Sequence, residues 1–148
     1  MDRIINNESI AICAILNALL LGVDNIARIN LFTVMTSDRA IRTRLAGYNS
    51  YEDMVGRESS YFQALNRKFV EFQPVFINAA TMLLMGEKIE DKIAGKFNLT
   101  LDGVEMAYLM RDRHEKVIES IIQATIRLEE MIRQKDTATW YKDLKIVL

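Results

Sequence analysis

One histidine, one cysteine and one proline occur in the whole chain, and the six glycines are scattered along it. Each shortage removes a class of function. With His114 as the single histidine, paired-histidine metal sites are excluded and most acid–base relays lack a partner. With Cys13 as the single cysteine, there is no internal disulfide and no thiolate cluster for zinc. Its plain reading is a small buried apolar residue. Glycines at 22, 47, 56, 86, 95 and 103 form no phosphate-cradling loop, and no serine sits between them in nucleophile-elbow spacing. The adjacent acids Glu90 and Asp91 read as solvated charge.

Charge of one sign is also missing. Nineteen basic against twenty acidic side chains leave a net charge of -1, so no global field draws in nucleic acid or an anionic membrane. The most apolar run, Ile10 to Leu21, is interrupted only by Asn17. As a helix it rises about 18 Å, short of the roughly 30 Å hydrocarbon core of a bilayer. Asp2 and Glu8 stand where a signal peptide would be basic. The expectation is a cytoplasmic protein that is not an enzyme, uses no cofactor or metal and does not enter a membrane.

What is present favours helices. Half of the 148 residues are apolar, about a quarter are charged, and methionine occurs eight times. A chain of this length fits one domain, 1–148, and buries roughly two-thirds of its unfolded surface without a covalent staple. Asn6 and Asn7 offer caps for a first helix that Gly22 ends. It is apolar around most of its circumference, so it is either central or partly an interface. Asp24 is placed to cap a second helix to about Met35, and Ser37 a short third one that Gly47 closes. Ser50 and Asp53 are spaced as a capping box in a less regular stretch, 48–60. Tyr61, Phe62, Leu65, Phe69 and Phe72 then resume helical spacing. Pro74 suits the first turn of a further helix, which Gly86 terminates. Ile89, Ile93, Phe97 and Leu99 predict two short strands with a turn near Ala94-Gly95.

After a second capping-box pattern, Asp102 and Glu105, a helical stripe continues for about 30 residues, which as one helix exceeds the diameter of a compact domain this size. The expectation is a long helix over 103–135, part of it projecting. Six basic and seven acidic side chains between Val104 and Asp136 flank its apolar seam. Such a seam either packs on a partner helix or lies across its own domain. Ile118, Ile121, Thr125, Leu128 and Ile132 are its candidate partner-facing residues. Trp140 and Tyr141 belong to an apolar tail, with Leu144 to Leu148, that docks on this domain or on a partner. The fold class is therefore mainly α: a helical domain with a small β-hairpin and a long C-terminal helix.

Between Arg39 and Lys68, six basic side chains outnumber three acidic ones. Arg39, Arg42, Arg44, Arg67 and Lys68 are candidate contacts to DNA phosphates, against the plainer reading of solvated or paired charge. The order helix, hairpin, helix is winged-helix-like. In a DNA reader of that kind the helix before the hairpin carries polar and basic residues into the major groove. Here that helix has Asn78 and Thr81 and no lysine or arginine, so it suits a core or a protein interface.

The run Asn7, Ile10, Ala14, Asn17, Ala18, Leu19, Leu20, with Tyr61-Phe62, Asn66-Arg67, Phe69, Phe76-Ile77-Asn78-Ala79, Leu83-Leu84 and Gly86-Glu87-Lys88-Ile89, resembles the small middle components of bacterial three-component ABC systems. Those systems join an ATPase related to structural-maintenance-of-chromosomes (SMC) proteins to a small middle subunit and an effector, and Lamassu-type antiphage defence is one of them. The likeness covers residues 6 to 101. It implies a non-catalytic accessory subunit bridging the SMC-like ATPase and the effector, with duplex DNA met through the complex. It assigns no site residue. Two other readings stay open: a stand-alone regulator that dimerises through the long helix and binds DNA with Arg39, Arg42 and Arg44, and a small-molecule binder with a methionine-rich pocket at Met82 and Met85.

Overall fold

The computed structural model describes residues 7–58 and 62–146. Asn6, Tyr61, Val147 and Leu148, which figure in the expectations above, lie outside these. The described chain forms eight helices and one antiparallel hairpin: α1 (Asn7–Leu20), α2 (Ile26–Ser37), α3 (Arg39–Leu45), α4 (Tyr51–Glu58), α5 (Phe62–Met85), β1 (Ile89–Glu90), β2 (Asn98–Leu99), α6 (Leu101–Asp112), α7 (Lys116–Ile132) and α8 (Thr137–Asp143). No helix among the described residues is long and apolar enough to cross a membrane.

α1 is the central element, because its near-uniform apolar surface needs cover on every side. Residues 11 to 19 are all buried, against α2, α5, α6, α7 and β2. Its single polar interruption is satisfied internally: the Asn17 amide donates to the Cys13 carbonyl at 2.8 Å and its oxygen accepts from Arg111 Nε at 2.9 Å. Gly22, at φ 89°, ends the helix in a left-handed turn, with the Val23 amide reaching back to the Ala18 carbonyl and that of Gly22 to Leu19.

The caps of the next two helices fall one residue later than expected. Asn25, not Asp24, caps α2 by accepting from the Arg28 amide at 2.9 Å. Asp38, not Ser37, caps α3 by accepting from the Ile41 amide at 3.0 Å. The Ser50 hydroxyl does accept from the Asp53 amide, and the stretch after it is the regular helix α4.

Pro74 lies inside a continuous 24-residue helix rather than at the start of a new one. Proline deprives the carbonyl four residues earlier of its donor. That residue is Val70, which like Pro74 is exposed, so water can replace the missing donor.

The hairpin pairs Ile89 with Leu99 and Glu90 with Asn98. Gly95 adopts φ 78° in the connection, as the Ala94-Gly95 turn requires. The Gly95 carbonyl accepts from the Ile26 amide, and the Phe97 amide donates to the Asp24 carbonyl, so the hairpin is tied to the α1–α2 loop. α6 begins earlier than its acidic pair suggested: Thr100 caps it, accepting from the Gly103 amide at 3.0 Å. A Cβ at Gly103 would stand 1.9 Å from the Lys88 carbonyl oxygen, so only glycine permits this approach to the hairpin.

The expected long helix over 103–135 is broken. α6 ends at Asp112, His114 adopts φ 54°, and α7 starts at Lys116, so both helices fold back on α1 and nothing projects as one rod. α7 then lies against α1, α2 and α3. Arg28 closes its C-terminus, donating to the carbonyls of Ile132 (2.6 Å) and Lys135 (2.8 Å). α8, capped by Asp136, brings Trp140 edge-on to Phe32, ring centroids 5.5 Å apart.

Candidate interaction surface

Two sets of side chains come from the sequence, one basic and one apolar, and the fold uses most of both internally. Arg42 Nη1 donates to the carbonyls of Thr36 and Ser37, each at 2.8 Å, and so closes the C-terminus of α2; its Nε donates to Ser120 Oγ at 3.0 Å. Burial pulls its guanidinium below the ordinary arginine range while Asp38 opposes this. Arg44 forms a two-point pair with the fully buried Glu58, Nε–Oε2 2.6 Å and Nη2–Oε1 3.0 Å, and that bond raises the guanidinium further above neutrality. The Tyr48 hydroxyl donates to the same carboxylate. Lys68 pairs with Asp38 at 3.0 Å. Burial would raise the Asp38 carboxyl, but the Lys68 ammonium and the Ile41 amide outweigh it and hold it low. Of the five expected phosphate contacts, Arg39 and Arg67 stand exposed. The other three, Arg42, Arg44 and Lys68, are engaged within the fold. A count of charge along the chain cannot see that Glu58 pairs with Arg44 and Asp38 with Lys68.

The apolar set is a clearer correction. Ile121, Leu128, Ile132 and Trp140 are wholly buried, and Thr125 and Ile118 nearly so. The Thr125 hydroxyl donates to the Ile121 carbonyl at 2.7 Å. Tyr141 is half-buried, edge-on to Phe69, and donates to the Ala27 carbonyl. These residues cover α1 to α3 of their own chain, so the seam lies across its own domain. The tail docks in the same way, with Leu144 and Ile146 enclosed.

The exposed apolar surface lies elsewhere, on α5 and α6. Val70, Pro74, Ile77, Asn78, Thr81, Met82 and Met85 are all exposed at helical spacing, one stripe along α5. Ile77 is 58% exposed and Met85 81%. No charged residue occurs from Phe72 to Gly86, so no charge rims this half of the helix from within its own sequence. The stripe faces away from Phe69, Phe76, Ala80 and Leu83, which fill the core side. At its end the Thr100 hydroxyl donates to the carbonyls of Glu87 and Lys88 and joins the start of α6 to the end of α5. Leu101, 89% exposed, follows at once, and Tyr108 and Leu109 are exposed further along α6. Single exposed apolar residues are ordinary; a set at helical spacing along one uncharged helix face marks contact with another molecule.

Sequence reading placed this helix in a core or an interface without separating its faces. No residue signal separates them, because the core-side spacing 69, 76, 80, 83 alternates with a second uncharged and largely apolar set offset by one to two residues. Met82 and Met85 stand on the surface rather than around a pocket, which removes the basis for a methionine-lined ligand site.

A second, shallow apolar groove of about 670 Å³ runs beside α8, lined by Asn25, Ala27, Thr137, Ala138, Tyr141, Lys142 and Ile146. His114 is exposed at its turn, and no group of three or more histidine, cysteine or acidic residues among the described residues is placed to hold a metal ion. Burial raises the Cys13 thiol to about 11, so it stays neutral and poorly nucleophilic at ordinary pH. Comparison of the chain with protein-family models, with curated proteins and with solved structures found no match.

Proposed function

We propose that this chain is a non-catalytic accessory subunit that joins an SMC-like ATPase to an effector in a bacterial antiphage defence complex. The observation that carries the reading is the uncharged, largely apolar stripe exposed on α5; Leu101, Tyr108 and Leu109 on α6 are exposed as well. Helix faces of this kind are recognised by apolar grooves or by a second helix laid along them, with anchors at spacings of three and four. Val70, Ile77 and Met85 supply such anchors toward the ATPase. The sequence resemblance includes Phe76-Ile77-Asn78-Ala79 and Leu83-Leu84, so it runs through both faces of this helix.

Any DNA contact made within the complex falls to Arg39 and Arg67. A stand-alone DNA-binding regulator is the weaker reading, because Arg42, Arg44 and Lys68 already serve the fold.

Co-expression with an SMC-like ATPase encoded beside the chain tests the proposal. The wild-type chain is expected to co-purify with it, and Ile77→Lys, which puts a charge in the middle of the stripe, to lower the retained fraction at least about tenfold. A chain that remains alone, or an Ile77→Lys variant retained as well as wild type, would overturn it.

A further inference from the structure

The break between α6 and α7 lacks the usual local causes. From Val104 to Ile132 there is no glycine and no proline, and sharp helix breaks normally need one of them or a disturbed backbone ladder. The residue at the turn is a histidine in the left-handed region, which histidine tolerates better than most side chains but which glycine favours. Glu115 stands at the N-cap of α7 without a side-chain cap hydrogen bond. The alternating four- and three-residue spacing of Ala107, Arg111, His114, Ile118, Ile121, Thr125, Leu128 and Ile132 runs through the turn without a shift of phase. Local sequence therefore favours one continuous helix, and packing of both halves on α1 imposes the bend.

Short, strained connections of this kind are where identical elements exchange between copies. We propose that residues 113–115 are a hinge, and that two copies of this chain form a dimer by exchanging α7 and α8. In the exchanged form α6 and α7 run on as one helix of about 48 Å that carries α7 across to the partner. Every contact that α7 and α8 make is recovered there, since the receiving surface is the same. Ile118 and Ile121 pack on the partner's Cys13 and Ala14, the partner's Arg28 closes the C-terminus of α7, and Trp140 meets the partner's Phe32. α6 stays at home, because its Arg111 remains bonded to Asn17 of its own α1. The gain is at the hinge: the left-handed His114 becomes helical, and residues 113–115 join the helix interior. The second copy is the only occupant whose surface is guaranteed to fit, and this separates the inference from the α5 stripe.

The test is refolding from denaturant at high chain concentration, where both arrangements are reachable, with mass read by light scattering. Fluorescence of Trp140, buried in either form, reports that each variant has folded. H114A disfavours the bend and favours helix, and is expected to enrich the dimer; H114G does the reverse and is expected to deplete it at least about tenfold relative to H114A. Ile77→Lys, remote from the hinge, is expected to leave the dimer fraction unchanged. Monomer alone for wild type, H114A and H114G would overturn the proposal. So would a dimer indifferent to residue 114, or one that Ile77→Lys abolishes, since the contact would then be a surface one on α5.

Discussion

The centre of this molecule and its α5–α6 edge are built from similar residues and treated in opposite ways. Around α1, α2, α7 and α8, isoleucine, leucine and aromatic side chains are enclosed, helix ends are closed by Asn25, Asp38, Asp136 and Arg28, and the buried Glu58 carboxylate has two partners. Along the edge, isoleucine, methionine and leucine stand in solvent with no charge between Phe72 and Gly86. Hydropathy is therefore a poor guide to which helix face is structural. What differs is the number of neighbouring elements: among the described residues α1 is covered by five, while the outer face of α5 stands exposed.

The contrast makes a graded set of expectations. Ile121→Ala, in the centre, should cost the most, about 4 kcal/mol of unfolding free energy, because the cavity it opens is ringed by packed helices. Denaturant titration followed by Trp140 fluorescence measures it. A loss below about 1 kcal/mol would mean that α7 is loosely held, and the centre would lose its distinction from the edge. Arg44→Met should cost about 3 kcal/mol, since it strands the Glu58 carboxylate in the interior. A near-zero change by the same titration would return Arg44 to the freely solvated cations. Ile77→Lys should shift stability by no more than about 0.5 kcal/mol, as for surface positions generally. A large loss there would show that the edge belongs to the core after all.

Much of the fold was legible because its punctuation is local. Gly22 and Gly95 mark left-handed turns that other residues make less cheaply, and the change from helical to alternating spacing after Gly86 announced the hairpin. The errors fell where tertiary surroundings decide. Several capping residues stand together at 24–25, 37–38 and 100–102, and the one chosen is the one whose backbone leaves the preceding element in the right direction. Pro74 was read as a start because its freed carbonyl partner, on Val70, was not known to face solvent. The bend at His114 has no local mark at all.

The site was less legible than the fold. Ile118, Ile121 and Leu128 were offered as a partner surface because a seam looks the same whether it meets its own domain or another. The arginines were offered to phosphates because Glu58 lies fourteen residues beyond Arg44, and nothing in linear order announces that pairing. Ile77 and Met85 were hidden by the reverse ambiguity: in a helix greasy on both sides, the outer face does not declare itself.

The arrangement around α1 also sets an order of events during synthesis. α1 has one of its apolar sides roofed by α7, some hundred residues downstream, so that side stays bare until α7 has been made. Contacts this distant in sequence form slowly, and chains caught in the interval adhere to one another. A nascent chain of this design needs shelter for α1, and stalling before residue 116 would leave a species that clumps rather than waits.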